Sequence, residues 1–480
     1  MKKKFFSLPT KYAYLYLFIP IALSIIVSTS YDNDIWFLLN QGRYILTNGF
    51  PHVDPFTIHE NLTLVVQQWL SATTFYEIYY LFGEIGLSLL LITINLFILY
   101  FLYKICLVMS DNRRNLSIFF AVLVDVLLLM NFIQTRPQIF TYLILLILIY
   151  TLEKYQQTRK NRYLLLLPLL SLLEINLHAS MWFMLFLFLL PYAIEMTIHD
   201  YQQRQLKKLL PLYISIIFMF LAGLFNPYGI AAIIYIFTSY GNSSINALVQ
   251  EMQVPQLTTR MGLIIYTVVL TVYIIYLVSK KRKIKLKYLC LLFGTTYLAL
   301  SSHKGFAFFL LGGLLPLIYC VKDYFPHPSI LKIKKTAYQQ GVIIFLFGLT
   351  LTLLVFLPHE LTNPLKSSVD YLLSHYDKNQ VILYTGFSEG GYVEYRGLKT
   401  YIDPRAEVFL KQNNHQKDIF QEYYDLQKGQ LSPDKFIKTY HFTHFIVTQS
   451  DALYPYLQQE KEKFDLLFNA DGYYLFETKF

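Results

Sequence analysis

Long apolar runs are the feature that most limits what this chain can fold into. Runs of roughly 15 to 22 residues recur from Tyr12 to Leu357, and a helix of that length spans a hydrocarbon core of about 30 Å. Hydrophobic residues make up 55% of the sequence and charged residues only 15%. The sequence therefore predicts an α-helical polytopic membrane protein.

About eleven spans account for these runs. We place them at roughly 13–30, 86–108, 116–133, 138–155, 163–177, 180–198, 209–225, 260–279, 288–302, 304–321 and 337–357. Residues 1–357 then form a transmembrane domain whose first loop, 31–85, contains interfacial helices. Residues 358–480 have soluble composition and alternate β-rich runs (VILYT, TYIDP, FTHFIVT, YYLFET) with helical stretches. This rhythm predicts a small α/β domain with about four strands.

The basic residues lie mainly in short connections that all fall on one side of the predicted spans. These connections are MKKK, DNRRN, EKYQQTRKNR, HDYQQRQLKK, KKRKIKLK and residues 322–335. The positive-inside rule makes this side cytoplasmic, and the first apolar run, which lacks a small-residue cleavage site, is then a retained anchor. The first loop and the C-terminal domain lie outside. The net charge of +10 reflects this topology and contact with anionic lipid headgroups, and it does not indicate nucleic-acid binding.

The first loop contains a helical pattern that begins beside two acids, Asp32 and Asp34. Its apolar residues recur at helical spacing, at Ile35, Leu38, Leu39, Gly42, Ile45 and Leu46, while Asn40, Gln41, Arg43 and Thr47 face the other way. The pattern predicts an interfacial helix that starts at Asp34 and ends at Asn48-Gly49. Asp32 or Asp34 is either an N-cap or a general base that takes a proton from an acceptor hydroxyl, and one residue can fill both roles.

Five further polar residues lie at the outer ends of predicted spans. Arg136 stands between two apolar spans, where a charge usually faces a cavity, so it is either a phosphate contact or a snorkelling residue. His178, with Asn176 and Glu174 close by, either contacts substrate or assists proton transfer, or else belongs to a helix-packing hydrogen-bond cluster. The pair His303-Lys304 lies in a tight turn, where Lys304 is either a second phosphate ligand or a topological turn residue.

The sequence is less specific about the roles of Asp125 and of the glycine doublet Gly390-Gly391. Asp125 is mid-span and is either a structural hydrogen bonder or part of a cavity. The run GFSEGG lacks the spacing of a nucleotide-binding loop. Cysteines stand at positions 106, 290 and 320, and they build neither a disulfide framework nor a zinc site.

Several motifs in order carry a resemblance to a known family. They are Asp32-Asn33-Asp34-Ile35-Trp36, Asn48-Gly49-Phe50, Pro51-His52-Val53-Asp54-Pro55-Phe56, Arg136-Pro137-Gln138, Asn176-Leu177-His178, Asn226-Pro227-Tyr228-Gly229, Gly390-Gly391-Tyr392 and Ile402-Asp403-Pro404-Arg405. The chain resembles bacterial members of the GT-C glycosyltransferase superfamily, which are related to the dolichyl-phosphate-mannose mannosyltransferases. Its first loop is similar to that of the catalytic subunit of oligosaccharyltransferase. The resemblance covers most of the chain.

The resemblance implies transfer of a sugar from a polyprenyl-phosphate carrier, usually with inversion, with a first-loop Asp as catalytic base. That role falls on Asp34, with Asp32 next in line. Arg136, Asn176, His178, His303, Lys304 and Asp54 are the candidate substrate-binding residues. The acceptor-recognition motif Trp-Trp-Asp-Tyr-Gly is absent, so protein N-glycosylation is not expected.

No metal is expected from the sequence, because it has no second Asp-x-Asp in the later outer loops. The scattered acids Asp54 and Glu60 do not compose a divalent site, and the identity of any metal ligand stays unknown. We expect a multi-pass cell-membrane glycosyltransferase that uses a polyprenyl-phosphate sugar and a cell-envelope glycan, lipid or protein as acceptor. The alternatives are a transporter or flippase of lipid-linked sugars, and a non-catalytic envelope assembly protein with the same fold.

Overall fold

The structure, a computed structural model, describes residues 16–29, 31–239, 243–279, 283–325 and 363–479. These residues divide into two compact units. The helical unit comprises the described residues within 1–30, 85–226 and 249–358, and the mixed unit comprises those within 31–84, 227–248 and 359–480. The predicted domains, 1–357 and 358–480, stay a prediction. The predicted span at 337–357 lies outside the described residues.

The helical unit consists of apolar helices joined by short connections. Its α-helices are Phe18–Ser28, Arg114–Asn131, Gln138–Thr158, Leu166–Leu177, Trp182–Gln202, Leu210–Ala222, Arg260–Val278, Leu286–Ser301, Gly305–Phe309 and Leu317–Val321, with most of Trp69–Met109. A π-helical stretch, Leu310–Leu314, lies between the last two of the unit. The helix Trp69–Met109 is interrupted at Gly83, whose φ of 61° is left-handed and favours glycine.

Six of the described helices are long and apolar enough to cross a bilayer. They are Trp69–Met109, Arg114–Asn131, Gln138–Thr158, Ala179–Gln202, Arg260–Val278 and Gly305–Tyr324. Shorter apolar helices are Phe18–Ser28, Ile230–Ser239 and Leu286–Ser301. The predicted helical membrane protein is confirmed in this general form. The count of about eleven spans stays a prediction, since a full span needs about 20 residues and the predicted span at 163–177 contains the 12-residue helix Leu166–Leu177.

Asp125 lies on the buried side of the helix Arg114–Asn131 and has a polar partner from another helix. The Asn95 amide donates to the Asp125 carboxylate at 3.3 Å and to the Ser24 hydroxyl at 2.7 Å. All three side chains are buried. Of the two interpretations from sequence, these contacts favour the structural hydrogen bonder, because they join three helices of the unit.

The mixed unit combines helices with one four-stranded sheet. Its α-helices are Asp34–Asn48, Ile230–Ser239, Ser243–Leu248, Lys366–His375, Gly390–Tyr395, Lys411–Asn414, Ile419–Gln427, Pro433–Tyr440 and Tyr454–Gln459. The strands are β1 (Leu383–Thr385), β2 (His444–Thr448), β3 (Phe464–Ala470) and β4 (Tyr473–Thr478), in the order β1-β2-β4-β3. β1 and β2 are parallel, and β4 runs antiparallel to both β2 and β3. The predicted small α/β sheet is confirmed.

One of the predicted strands is wrong and one strand was missed. The run TYIDP forms no strand: Thr400 makes isolated parallel bridges to Leu383 and to Thr57 of the first loop. The strand Phe464–Ala470 was hidden because its middle residues are exposed or half-buried and alternate weakly with polar ones. It pairs with β4 through the tight turn at Asp471 and Gly472, both of which have positive φ.

Candidate functional site

The first-loop helix forms where the sequence predicts it. It runs from Asp34 to Asn48 and ends at Gly49, whose φ of 84° is left-handed. The Asp32 carboxylate accepts the backbone N–H of Asp34 at 3.2 Å, a local contact across the N-cap residue Asn33. Both carboxylates are only partly buried. Asp34 is thus the first helical residue, where the helix dipole stabilises a negative charge.

The polar side of this helix is partly buried. Asn40 and Gln41, which the pattern places on the polar side, are 4% and 3% exposed. The helix Gly390–Tyr395 packs along this helix, with the Trp36 ring 4.8 Å from Tyr392 and 5.1 Å from Tyr395. The helix Gly390–Tyr395, which is distant in sequence, therefore covers part of the polar side. The two helices form one buried layer of the mixed unit.

Arg43 is the charged contact between these two helices. Its guanidinium donates to the Asn40 side chain and to the Tyr395 backbone carbonyl, both at 2.8 Å, and lies 4.9 Å from the centre of the Tyr395 ring. These bonds satisfy the buried amide of Asn40. The polar residues of the helix therefore fix its orientation within the unit.

Asp54 anchors the rest of the first loop to the segment that contains Arg405. One carboxylate oxygen accepts the Arg405 guanidinium at 2.6 Å, and the other accepts the N–H and hydroxyl of Thr57 at 3.1 and 2.8 Å. The Asp54 side chain has no exposed surface. These contacts explain Asp54 as a positioning residue of the loop, and they lend its predicted substrate contact no support.

Arg405 lies at the centre of a buried cluster of three carboxylates. It binds Asp403 with two nitrogens, Asp54 with a third, and lies 3.7 Å from Glu394. Its guanidinium also lies 4.9 Å from the centre of the Phe56 ring. Burial, helped by Asp403, raises the pKa of Glu394 well above its usual value, although Arg405 opposes the shift. The protonated form of Glu394 is therefore favoured in the cluster, which limits the uncompensated negative charge.

The glycine doublet has a packing function. A Cβ on Gly390 would lie 2.0 Å from the carbonyl oxygen of Ile402, and one on Gly391 would lie 3.3 Å from the backbone nitrogen of Phe37. Gly390 thus lets its helix approach the Ile402–Asp403 backbone, and Gly391 lets it approach the first-loop helix. This close packing accounts for the doublet without a nucleotide.

In the helical unit, the two predicted phosphate ligands share one counter-ion. The Arg136 guanidinium donates to Glu251 at 3.0 Å, and the Lys304 ammonium lies 3.9 Å from the other oxygen of the same carboxylate. The Lys304 N–H also donates to the Glu251 carbonyl at 3.0 Å. Burial raises the pKa of Glu251, but Lys304 and Arg136 outweigh it and hold the pKa below its usual value. Among the described residues, Glu251 therefore joins the two cations in one cluster.

Glu251 was missed by the sequence analysis. It sits in a short 3-10 turn, Gln250–Met252, outside every quoted motif. One signal was available: two cations predicted to lie together need a nearby acid, and Glu251 is the acid that precedes the helix Arg260–Val278.

His178 and Asn176 occupy the end of the helix Leu166–Leu177. The Thr141 hydroxyl lies 2.6 Å from the Glu174 carboxylate and 2.8 Å from His178 Nδ1, and all three side chains are buried. The hydroxyl has one proton, so when it donates to Glu174 it accepts from the His178 ring. Asn176 donates to the carbonyls of Leu172 and Phe225 at 2.7 and 3.0 Å. The sequence predicted this cluster without its central residue, Thr141.

His303 lies beside the cation cluster along the chain. Its backbone N–H donates to the Gln253 carbonyl at 3.1 Å, so it shares the segment that carries Glu251. Its ring nitrogen Nε2 is buried and has no hydrogen-bond partner among the described residues. Burial lowers the pKa of His303, which makes the neutral ring the main form at neutral pH.

Within the described ranges, no group of three or more His, Cys, Asp or Glu side chains is arranged to hold a metal ion. Arg405 fills the space between the acids of its cluster, and a guanidinium excludes a divalent cation by charge. The acids of this cluster therefore serve packing, whereas Asp34 and Asp32 are partly exposed at the helix start.

Comparisons with known proteins find a similarity in fold. No family model matches the sequence, and no curated protein matches it. The apo crystal structure of the Archaeoglobus fulgidus oligosaccharyltransferase matches with a TM-score of 0.52 and 9% identity, over 91% of this chain and 70% of that chain. This chain shares the fold of an oligosaccharyltransferase.

A second crystal structure of the archaeal enzyme, tethered by a disulfide bond to an acceptor peptide containing the NVT sequon, gives a TM-score of 0.50. Its identity is again 9%, over 91% of this chain and 69% of that one. At this identity the likeness concerns the fold alone. It confirms the GT-C-like fold that the motifs predict. The bacterial affiliation and the relation to dolichyl-phosphate-mannose enzymes stay predictions.

Proposed function

We propose that this chain is a membrane glycosyltransferase that transfers a sugar from a polyprenyl-phosphate carrier to a cell-envelope glycan, lipid or protein. The proposal keeps the N-terminus in the cytoplasm and the reaction on the outer face of the cell membrane. The basic connections between spans then contact anionic lipid headgroups on the inner face. The fold shared with an oligosaccharyltransferase supports the general class of membrane glycosyltransferase. The proposed donor and reaction are argued from residues of this chain.

The observation that carries the proposal is the cluster of Arg136, Lys304 and Glu251. Two cations at the ends of apolar helices are costly in a membrane protein unless they serve a ligand or a partner. Glu251 holds the two cations together, and both are groups that bind phosphate oxygens. Arg136 provides a planar fork for two phosphate oxygens, and Lys304 provides a point charge.

Asp34 is proposed as the catalytic base. The acceptor hydroxyl oxygen attacks the anomeric carbon of the donor sugar while its proton passes to the Asp34 carboxylate. The bond between the anomeric carbon and the phosphate oxygen breaks, and the polyprenyl phosphate departs with the bonding electrons. One displacement of this kind inverts the anomeric centre. Asp32 holds the N–H of Asp34 and so positions the base, and it is the second candidate for the role.

The remaining candidate residues are proposed to contact the donor. Thr141 accepts from Nδ1–H of His178, so the unprotonated Nε2 is proposed to accept a hydroxyl of the substrate. His303 offers the buried, unpartnered Nε2 described above. Asn176 is tied to backbone carbonyls and is proposed to hold the end of its helix, with its substrate contact kept as the less favoured role.

The proposed displacement routes no step through a metal, because Arg136 and Lys304 meet the charge of the leaving phosphate. Exhaustive treatment of purified protein with a chelator tests this directly. Retained transfer agrees with the proposal, and loss of transfer that is restored by one divalent ion would overturn it.

The first test of the function is the envelope glycan composition of a strain that lacks this chain. The proposal expects one sugar substituent to be missing and to return when the wild-type chain is supplied, but not when Asp34→Asn is supplied. Return with Asp34→Asn would favour a non-catalytic assembly protein. A flippase would instead leave the complete lipid-linked sugar trapped on the inner leaflet, which thin-layer analysis of the carrier lipids detects.

A further inference from the structure

A cavity of about 230 Å³ lies in the mixed unit, away from the Arg405 cluster. It opens where the parallel strands β1 and β2 end. The loop Gly386–Glu389 follows β1 on one wall, and Ser450 and Asp451 follow β2 on another. The carboxyl ends of neighbouring parallel strands are the usual ligand crevice of an α/β sheet, because the loops that follow both strands meet there.

The lining of the cavity is acidic and rich in hydroxyl groups. It contains the carboxylates of Glu389 and Asp451, several hydroxyls and the phenols of Tyr423 and Tyr473, and among the described residues that line it there is no Lys, Arg or His. A phosphate, sulfate or nucleotide would meet two acids and no counter-charge. The charge of the lining therefore selects a neutral, hydroxyl-bearing ligand and rejects an anion.

The two acids differ in the hydrogen bonds that their carboxylates accept from other side chains. Asp451 accepts the Leu453 N–H at 2.8 Å, the Tyr384 hydroxyl at 3.1 Å and the Gln427 amide at 3.2 Å, so it is a fixed part of the wall. Glu389 accepts the Tyr473 hydroxyl at 3.3 Å, which is long for a hydroxyl donor, and its carboxylate also accepts the backbone N–H groups of Ser388 and Glu389. Burial raises the pKa of Glu389. A hydroxyl donated by a ligand would stabilise its carboxylate form.

Aromatic rings complete the wall beside Glu389. The Tyr423 hydroxyl accepts the N–H of Phe387 at 3.2 Å and thereby fixes the loop that follows β1. Tyr473 and Phe387 offer ring surface close to the carboxylate. Sites that combine apolar ring faces with a few placed polar groups suit sugars, whose C–H faces pack on rings while their hydroxyls donate to carboxylates.

The volume sets the size of the ligand. Pockets that enclose drug-sized ligands measure roughly 300 to 1,000 Å³. A cavity of about 230 Å³ is smaller, so it takes one ring or the terminal unit of a longer chain.

We propose that this cavity binds one uncharged monosaccharide unit of an envelope glycan, with Glu389 accepting a sugar hydroxyl and Tyr473 packing against the ring. Binding itself does not depend on the proposed transfer reaction. The further assignment of the bound glycan as acceptor rests on the proposed function.

Saturation-transfer difference NMR on the purified full chain in detergent tests the site. The probes are the methyl glycosides of glucose, galactose, N-acetylglucosamine and N-acetylgalactosamine, with glucose 6-phosphate as the anionic comparison. We expect transfer to at least one uncharged glycoside and none to the phosphate ester. Failure with all four glycosides, or stronger transfer to glucose 6-phosphate, would overturn the proposal.

Variants separate the cavity from adventitious surface binding. Glu389→Ala removes the acceptor, and loss of one hydrogen bond to a charged group corresponds to roughly tenfold weaker binding. Ser450→Trp fills the cavity from an exposed position and should abolish binding if Glu389→Ala folds poorly. The matched control is Glu462→Ala, an exposed acid outside the cavity, which should bind as wild type. Unchanged binding in both cavity variants would refute the site.

The Asp34→Asn variant keeps the two proposals distinguishable. Glycoside binding should persist in Asp34→Asn even when sugar transfer is lost. If wild-type protein transfers sugar but the cavity variants bind and transfer as wild type does, the cavity proposal fails and the transferase proposal stands. If glycosides bind in the cavity and no polyprenyl-phosphate sugar is ever consumed, the transferase proposal fails and the cavity proposal stands.

Discussion

Arg136 and Lys304 reach the same carboxylate, Glu251, from two different segments of the helical unit, at 3.0 and 3.9 Å. The two residues were singled out separately from sequence as phosphate ligands. Their convergence on one acid shows that they belong to a single electrostatic cluster. In the proposed function Glu251 holds both cations in place and competes with the donor phosphate for them.

Glu251→Gln is expected to strengthen donor binding. The amide keeps the shape of the side chain but removes the charge that competes with phosphate, so the apparent KM for the polyprenyl-phosphate donor should fall by about fivefold, the equivalent of ~1 kcal/mol. The effect should shrink as salt is raised, because the competition is electrostatic. A higher donor KM at low salt would instead mean that Glu251 is needed to position the cations.

Arg136→Ala is expected to weaken donor binding by roughly tenfold or more, since a charge-assisted bond to phosphate is lost. Arg136→Lys should recover part of the loss, because Lys keeps the charge without the planar fork. The donor dependence of the initial transfer rate measures both. An unchanged donor KM in Arg136→Ala would remove the phosphate role from this residue.

The buried cluster around Arg405 predicts a stability effect. Removing one partner of a buried ion pair typically costs about 3–5 kcal/mol. We therefore expect Arg405→Ala to lower the thermal midpoint of the purified chain severely or to prevent its accumulation. The control is Arg396→Ala, whose pair with Asp370 is partly exposed and should contribute little. Equal midpoints for the two variants would contradict the structural role of the cluster.

Glu394 gives this cluster a pH dependence. Because its pKa is raised in the folded state, its stabilising contribution is complete below the pKa of the unfolded chain and is lost as pH rises through the folded pKa. The thermal midpoint of wild type should therefore fall between pH 5 and pH 9 more steeply than that of Glu394→Gln, which keeps a neutral donor. Parallel curves for the two proteins would show that Glu394 does not carry the proton.

The glycines give a graded prediction for packing. Gly390→Ala should destabilise most, because its Cβ would lie 2.0 Å from a backbone oxygen, and Gly391→Ala less, with its nearest backbone atom at 3.3 Å. Gly294→Ala is the control, since nothing lies within 4 Å of its Cβ. Thermal midpoints in the reverse order would contradict the account of the doublet.

Local features of the sequence were enough to predict local structure. The helix Asp34–Asn48 has a helical apolar repeat, acids at its start and a glycine at its end, and all of these act within a few residues. The membrane character likewise follows from run length and composition. The strand Phe464–Ala470 lacked a clear alternation, and the segment TYIDP had β-rich composition but only isolated bridges to Thr57 and Leu383.

Local sequence patterns could not predict which side chains contact the candidate residues. Asp54 and Arg405 are 351 residues apart, and Arg136 and Glu251 are 115 apart. No local sequence pattern shows which acid a buried arginine will bind. The pattern of the first-loop helix could not show that Gly390–Tyr395 packs against it, because that helix comes from the far end of the chain. The sequence marked the residues, and tertiary packing determined their partners.

The central claim is that Asp34 is the base of a sugar transfer, and single-turnover kinetics test it most directly. Purified wild type, Asp34→Asn and Asp32→Asn are mixed with a matched polyprenyl-phosphate sugar and acceptor, and product is followed at saturating donor. Loss of a general base costs 10²- to 10⁴-fold, so the rate for Asp34→Asn should fall at least about a hundredfold with donor affinity retained. Asp32→Asn, which keeps a side-chain oxygen for the N–H of Asp34, should retain much more activity. A wild-type rate for Asp34→Asn would contradict the claim.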